Sequence, residues 1–159
     1  MVKSFAHAIG ILLLLLSICG ISAARCQSLE PDDVVRILYN TSDTYVPPFA
    51  HWSRKMRRLW AEELQWMDAN TPFGPVLDFD YIRNTQEGSV HNLSVTVVDK
   101  TENSAHVKAT FDIADRKSVM LFDMVREDGE WGADEVHNIE GSNQGTLTRN
   151  LNVCQKKKC

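Results

Sequence analysis

A single change of hydrophobic period near Ser89 constrains this chain more than any other feature. Before it, apolar residues recur at spacings of three, four and seven; after it they fall at every second position. A chain that changes period once builds helices first and a sheet afterwards. Both elements lose their apolar faces from water only when the helices lie on one face of an antiparallel sheet. The expected class is therefore α+β, with N-terminal helices packed on a curved antiparallel sheet.

Pro31-Asp32-Asp33 opens the first helix: proline suits the first turn, and two acids complement the positive helix end. Val34, Val35, Leu38 and Tyr39 then form its apolar stripe. Asn40 to Pro48 reads as a turn-rich connection, closed to helix by Pro47-Pro48. A longer helix is expected over 53–68, with Met56, Leu59, Trp60 and Met67 as its buried face and Trp52 just before it. Arg54, Lys55, Arg57 and Arg58 lie between those positions and are the candidate partner surface, although a solvated face is the plainer reading of such a run.

Leu93, Val95 and Val97 alternate with Asn92, Ser94 and Thr96, and Ala105 to Ile113 repeats the pattern, so two strands with a hairpin between them are expected. Residues 118–126 are apolar at both parities, which predicts a strand covered on both sides. Asp128-Gly129 is a hairpin turn, and 130–136 returns as the next strand. The triplets Asn40-Thr41-Ser42 and Asn92-Leu93-Ser94 have the N-glycosylation pattern and are read as loop and strand.

The amino end has its own logic. Lys3, the apolar run Ala8 to Ala23, and small Ser22 and Ala24 before Arg25 have the form of a cleavable signal peptide over residues 1–24. An uncleaved anchor is the alternative, because the run approaches the roughly 20 residues of a membrane span. Lipid attachment is disfavoured, since Ile18 and Arg25, which precede Cys19 and Cys26, are not small. Cleavage would leave one domain, 25–159, with its core at about 32–151 and a short basic tail at 152–159. It removes only Lys3 from the charged side chains, so the net charge of −4 becomes −5. That balance gives no general attraction to nucleic acid or anionic membrane, and no further stretch is long and apolar enough to span a bilayer. The expected location is periplasmic or secreted.

Cys26, Cys154 and Cys159 remain after cleavage, and in an oxidising compartment a bridge from Cys26 to one of the other two would tie the termini together. Three thiols without CxxC spacing or a neighbouring histidine give little support to a metal site. His51, His91, His106 and His137 are scattered, with no HxH or HExxH pattern, and neither a nucleophile elbow nor a phosphate loop is present. No metal, cofactor or catalytic set is expected.

Three stretches, in order between Val34 and Leu151, carry a family resemblance. Trp52-Ser53-Arg54-Lys55-Met56-Arg57-Arg58-Leu59-Trp60 resembles an aromatic-Ser-x-x-Leu-x-x-Leu helix entry. Leu77-Asp78-Phe79-Asp80-Tyr81-Ile82-Arg83-Asn84-Thr85-Gln86-Glu87 resembles a Phe-Asp-Pro-x-x-x-x-Gln-Asp segment, with Tyr81 for proline and Glu87 for aspartate. Residues 125–136, Val-Arg-Glu-Asp-Gly-Glu-Trp-Gly-Ala-Asp-Glu-Val, resemble a closing hairpin whose strand reads Trp-Arg-Ile-x-Asp-Ile; Gly132 and Ala133 depart from it. Together they resemble the bacterial domain-of-unknown-function family 3828, whose members are mostly exported or lipid-anchored and similar to the nuclear transport factor 2-like fold.

The resemblance implies a cone of bent sheet around helices, with a pocket at its open end, and homodimers formed face to face in relatives. It makes Asp80, Tyr81, Gln86, Trp131 and Asp134 the cavity or loop-organising candidates. A noncatalytic binding module for a small ligand or protein partner is the leading expectation. An immunity or inhibitor protein acting on an envelope toxin or hydrolase is the alternative. An isomerase- or dehydratase-like enzyme is the third reading; it requires an uncommitted buried carboxylate in the cone.

Overall fold

The computed structural model describes residues 28–40, 49–70, 80–86, 88–140 and 144–151. The leader, the Pro47-Pro48 connection, Leu77 to Phe79, Glu87 and all the cysteines lie outside the described residues.

Helix α1 spans Pro31–Asn40. Its start is closed in both directions: Val34 N–H donates to the Glu30 carbonyl, and Glu30 N–H donates to the Asp33 carboxylate at 3.3 Å. Val34, Val35, Leu38 and Tyr39 are buried, as their spacing predicts. The Tyr39 ring meets Phe111 and Phe122 edge-on, at centroid distances of 5.2 and 6.0 Å. Arg36 reaches across to donate to the Val95 carbonyl at 3.0 Å, which fixes α1 to the edge of the sheet.

The strands are β1 (His91–Lys100), β2 (Ser104–Ile113), β3 (Arg116–Glu127), β4 (Glu130–Glu140) and the short β5 (Gly145–Thr146). They form one antiparallel meander in chain order, with β1 at an edge. On the face toward α1, Val95, Val107, Ala109, Phe111, Met120, Phe122, Met124, Ala133 and Val136 are buried together with the helical residues. The α+β class and the antiparallel sheet are thus as the period change requires.

Two expectations need correction. Strand β3 is not covered on both sides: Ser118, Met120, Phe122 and Met124 are buried, while Val119, Leu121 and Val125 are half-buried. The reason is lateral cover. Leu121 is flanked by Lys108 of β2 and His137 of β4, whose side chains shield an apolar residue without enclosing it. The chain also does not end its sheet at Val136: β4 runs to Glu140, β5 pairs with it through Thr146 and Gly145, and residues 147–151 are helical, with Leu147 and Leu151 fully buried.

Helix α2 covers Arg54–Asn70 and lies against β4. Met56 and Trp60 face the core, and the Trp60 ring meets Trp52 edge-on at 6.5 Å. Trp52 also forms a parallel bridge to Ala133, and Ser53 N–H donates to the Ala133 carbonyl at 2.9 Å. That close approach explains Gly132. A Cβ there would lie 2.9 Å from both the Ser53 nitrogen and the Trp52 carbonyl carbon. The missing side chain at Gly132 is what admits the start of α2 beside β4.

Candidate functional site

The segment 80–86 folds back on itself. Asp80 and Thr85 exchange both backbone hydrogen bonds, at 2.9 and 3.3 Å. Asp80 Oδ1 accepts from the backbone N–H groups of Ile82 and Arg83 at 2.9 and 3.1 Å, an arrangement in which a short acidic side chain organises the turn that follows it. Its Oδ2 accepts from Arg83 Nη1 at 3.1 Å. Burial raises the Asp80 carboxyl above its ordinary value, against the opposing pull of the Arg83 and Ile82 amides and the Arg83 guanidinium. Asn84, at φ 53, completes the reversal.

The same turn delivers Arg83 to a cleft. Its guanidinium also donates from Nη2 to the Tyr39 carbonyl at 3.2 Å, so a cation sits on the last turn of α1, where the helix dipole favours it. Its side chain is only 15% exposed. The cleft beside it, about 240 Å³, is bounded by Tyr39, Asn40, Arg83, Ser89, Val90 and Leu93. The lining combines the Arg83 cation and polar Asn40 and Ser89 with apolar Val90 and Leu93. Tyr39 donates its hydroxyl to the Ile82 carbonyl at 3.1 Å, and burial, reinforced by the Asp80 charge, holds this phenol well above its usual titration range.

The other sequence candidates lie elsewhere. Tyr81 is buried, and burial, with the Glu135 charge, raises its phenol while Asn138 and Asn150 pull the other way. Gln86 is exposed at the end of the turn. Trp131 is buried at the far end of the sheet between two cations, with Lys100 Nζ 5.7 Å and the Arg126 guanidinium 5.9 Å from its ring centre. Asp134 receives the Ser53 hydroxyl at 2.7 Å and Lys55 Nζ at 2.9 Å. It joins β4 to the first turn of α2, where Ser53 also accepts from Met56 N–H at 3.1 Å as the helix cap.

The basic start of α2 is engaged within the chain. Arg54 pairs with Asp128 and its amide donates to Glu127 at 2.9 Å, Lys55 pairs with Asp134, and Arg58 lies 3.8 Å from Glu62. Arg57 is exposed and borders a second recess of about 140 Å³ with Trp52, Glu127, Asp128 and Glu130.

Three features were not singled out from the sequence. Arg83 has no motif of its own and acquires its place through Asp80. Glu63 is a fully buried carboxyl on the core face of α2; its spacing of seven from Met56 and three from Trp60 is the signal that would have found it. His106 and His137, far apart in sequence, come together on the outer face of the sheet around Asp123. Among the described residues, no group of three or more His, Cys, Asp or Glu side chains is placed to hold a metal ion, and no helix is long and apolar enough to cross a membrane.

No protein-family model and no curated protein matches the chain. Among solved structures, the phospholipid-binding protein from Ralstonia solanacearum, determined in complex with a phospholipid, is similar over 81% of this chain, at 8% identity and a TM-score of 0.35. This chain covers 65% of that one, a little under two thirds of its length. At that likeness no residue of one chain can be placed on the other.

Proposed function

We propose that this chain is an exported, noncatalytic binding module and that the cleft beside Arg83 receives a small ligand. The observation that carries the reading is the fixed guanidinium. Asp80 and the Tyr39 carbonyl hold Arg83 at the wall of a recess also lined by Tyr39, Asn40, Gly88, Ser89, Val90 and Leu93. Directional polar groups beside apolar ones, here Val90 and Leu93, are what fix and orient a small ligand. The volume is below the roughly 300 Å³ at which drug-sized sites begin, so the fitting ligand is small. A signal peptide over residues 1–24 would direct the domain to the envelope or outside the cell, and a nuclear transport factor 2-like cone is the architecture we propose for it.

The carboxylates named for an enzyme of the isomerase kind are engaged: Asp80 by two amides and Arg83, Asp134 by Ser53 and Lys55. Of the basic residues at the start of α2, the candidate partner surface, Arg54, Lys55 and Arg58 already have acidic neighbours within the chain.

The test is amide chemical-shift mapping with three probe sets: short carboxylic acids, free amino acids and monosaccharides. One set is expected to shift the amides of Gly88, Ser89 and Leu93, and Leu93→Trp, which fills the cleft, is expected to abolish the shift. If no probe moves those amides, or if Leu93→Trp binds as the parent does, the cleft is not the site.

A further inference from the structure

The outer face of the sheet carries an arrangement that the ligand site does not use. His106 of β2 is directly opposite Asp99 of β1 on one side and Asp123 of β3 on the other. Its Nδ1 lies 2.9 Å from both carboxylate oxygens of Asp99, and its Nε2 lies 3.4 Å from Asp123 Oδ1. Asp123 cannot turn away without loss, because its Oδ2 is 2.8 Å from Nε2 of His137 on β4.

A neutral imidazole has one N–H and one lone pair. Whichever tautomer His106 adopts, that lone pair faces a carboxylate oxygen. With Nδ1–H given to Asp99, the Nε2 lone pair meets Asp123; with the reverse tautomer, the Nδ1 lone pair meets both oxygens of Asp99. Only the imidazolium donates in both directions. The charges around it agree: Asp99 comes from β1, Asp123 from β3 and Glu135 from β4 opposite Asp123, against Lys108 on β2 itself and His137 on β4.

We propose that His106 is a proton-operated latch that fastens the end of edge strand β1 to the sheet. Strand β1 needs such a fastening, since it is the outermost strand and its register slips between Val97 and Asp99. The irregularity leaves Val98 57% exposed. Beyond the slip the strand is tied from both faces: Asp99 outward to His106, and Lys100 inward to Glu30 and over the Trp131 ring. Protonated, His106 holds the outward tie and spans three strands. Deprotonated, it sets a lone pair against Asp99 or Asp123, and residues 98–100 loosen first. The Asp99 contact raises the His106 titration above its ordinary value, with Asp123 adding to it, so the latch is closed in weak acid and opens on the alkaline side.

The experiment is carbon-detected titration of the histidine rings in the full-length mature protein, combined with amide hydrogen exchange in β1 at about pH 5.5 and about pH 8. His106 is expected to titrate above a histidine in the unfolded chain, and Asp99→Asn to lower that midpoint. Protection of residues 98–100, corrected for the intrinsic pH dependence of exchange, is expected to fall severalfold on going to alkaline pH. His106→Gln, which cannot take up a proton, should show weak protection at both pH values while the β2–β3 amides keep theirs. A His106 midpoint at or below the unfolded value, a midpoint unmoved by Asp99→Asn, or pH-dependent protection that persists in His106→Gln would overturn the proposal.

Discussion

At the scale of single residues, two positions carry backbone demands that a side chain either meets or violates. Gly132 is the first. An added methyl would strike backbone atoms of Trp52 and Ser53 rather than a side-chain tip, so the approach of α2 to β4 must open. Gly132→Ala is expected to cost about 2–3 kcal/mol in urea melts, toward the upper end for overpacking; a loss below about 0.5 kcal/mol would mean that the Trp52-Ser53 docking is not as tight as described. Ala114, in the turn between β2 and β3, is the opposite case: it sits at φ 50, a conformation that costs a residue with a Cβ about 1–2 kcal/mol. Ala114→Gly removes that strain at the expense of a freer unfolded chain, and a net gain of about 0.5–1 kcal/mol is expected. A melt showing destabilisation instead would place the turn in an ordinary conformation. Neither position announced itself in the sequence. Gly132 read only as a departure from a hairpin pattern, and Ala114-Asp115 lacks the Asn-Gly or Asp-Gly signal that made the turn at Asp128-Gly129 legible, where both residues do take positive φ.

At the scale of elements, hydrophobic period was enough to locate both helices and the first two strands, because each buries one face and leaves the other wet; β3 was read as a run apolar at both parities, and β4 as the return from the Asp128-Gly129 turn. It failed where that premise fails. The two residues of β5 are too short to show a period, and the apolar outer residues of β3 read as buried although neighbouring polar side chains cover them only laterally. The organisation of the candidate cleft was partly legible: Asp80 was marked as a loop-organising group, but the residue it positions, Arg83, was not. The start of α2 shows how an element end can be tied to its neighbour. Ser53 caps the helix through Met56 N–H and also donates to Asp134. Ser53→Ala is expected to cost about 2 kcal/mol: about 1 for the cap and a similar amount for the lost donor to Asp134. Ser53→Asp separates the two roles. Aspartate caps a helix as well as serine does, but here it sets a second carboxylate against Asp134, so urea melts should show it to be as damaging as alanine. A melt matching the parent would reduce Ser53 to a cap alone. At the far end of the sheet, Trp131→Ala is expected to cost about 3–5 kcal/mol, since it empties a buried indole site and removes the ring from beside Lys100 and Arg126; a loss under about 1 kcal/mol would place the ring outside the core.

At the scale of the whole molecule, the titrating groups set how stability varies with pH. Asp128 is held below its ordinary value of 3.8 by Arg54, so its contribution is present above that value and disappears only as pH falls through the depressed one, in strong acid. His106 is raised above its ordinary value of 6.5, chiefly by Asp99; its contribution is complete below 6.5 and is lost as pH rises through the folded value. Asp80 is raised by burial, so the folded chain takes up its proton before the unfolded one does, and acidification toward 3.8 favours folding there as well. On descending from alkaline pH into weak acid, two of the three groups add stability and none removes it, while protonation also reduces the net charge of −4. The urea midpoint is therefore expected to be higher at about pH 5 than at about pH 8, by less than about 1 kcal/mol for a half-exposed pair such as Asp99 and His106. Asp99→Asn isolates their share, because it removes the chief cause of the His106 shift while leaving Asp80 and the other charged groups in place. A pH dependence unchanged in that variant would assign the effect to net charge and Asp80; a midpoint that is higher at alkaline pH in the parent would contradict the sign derived for both raised groups.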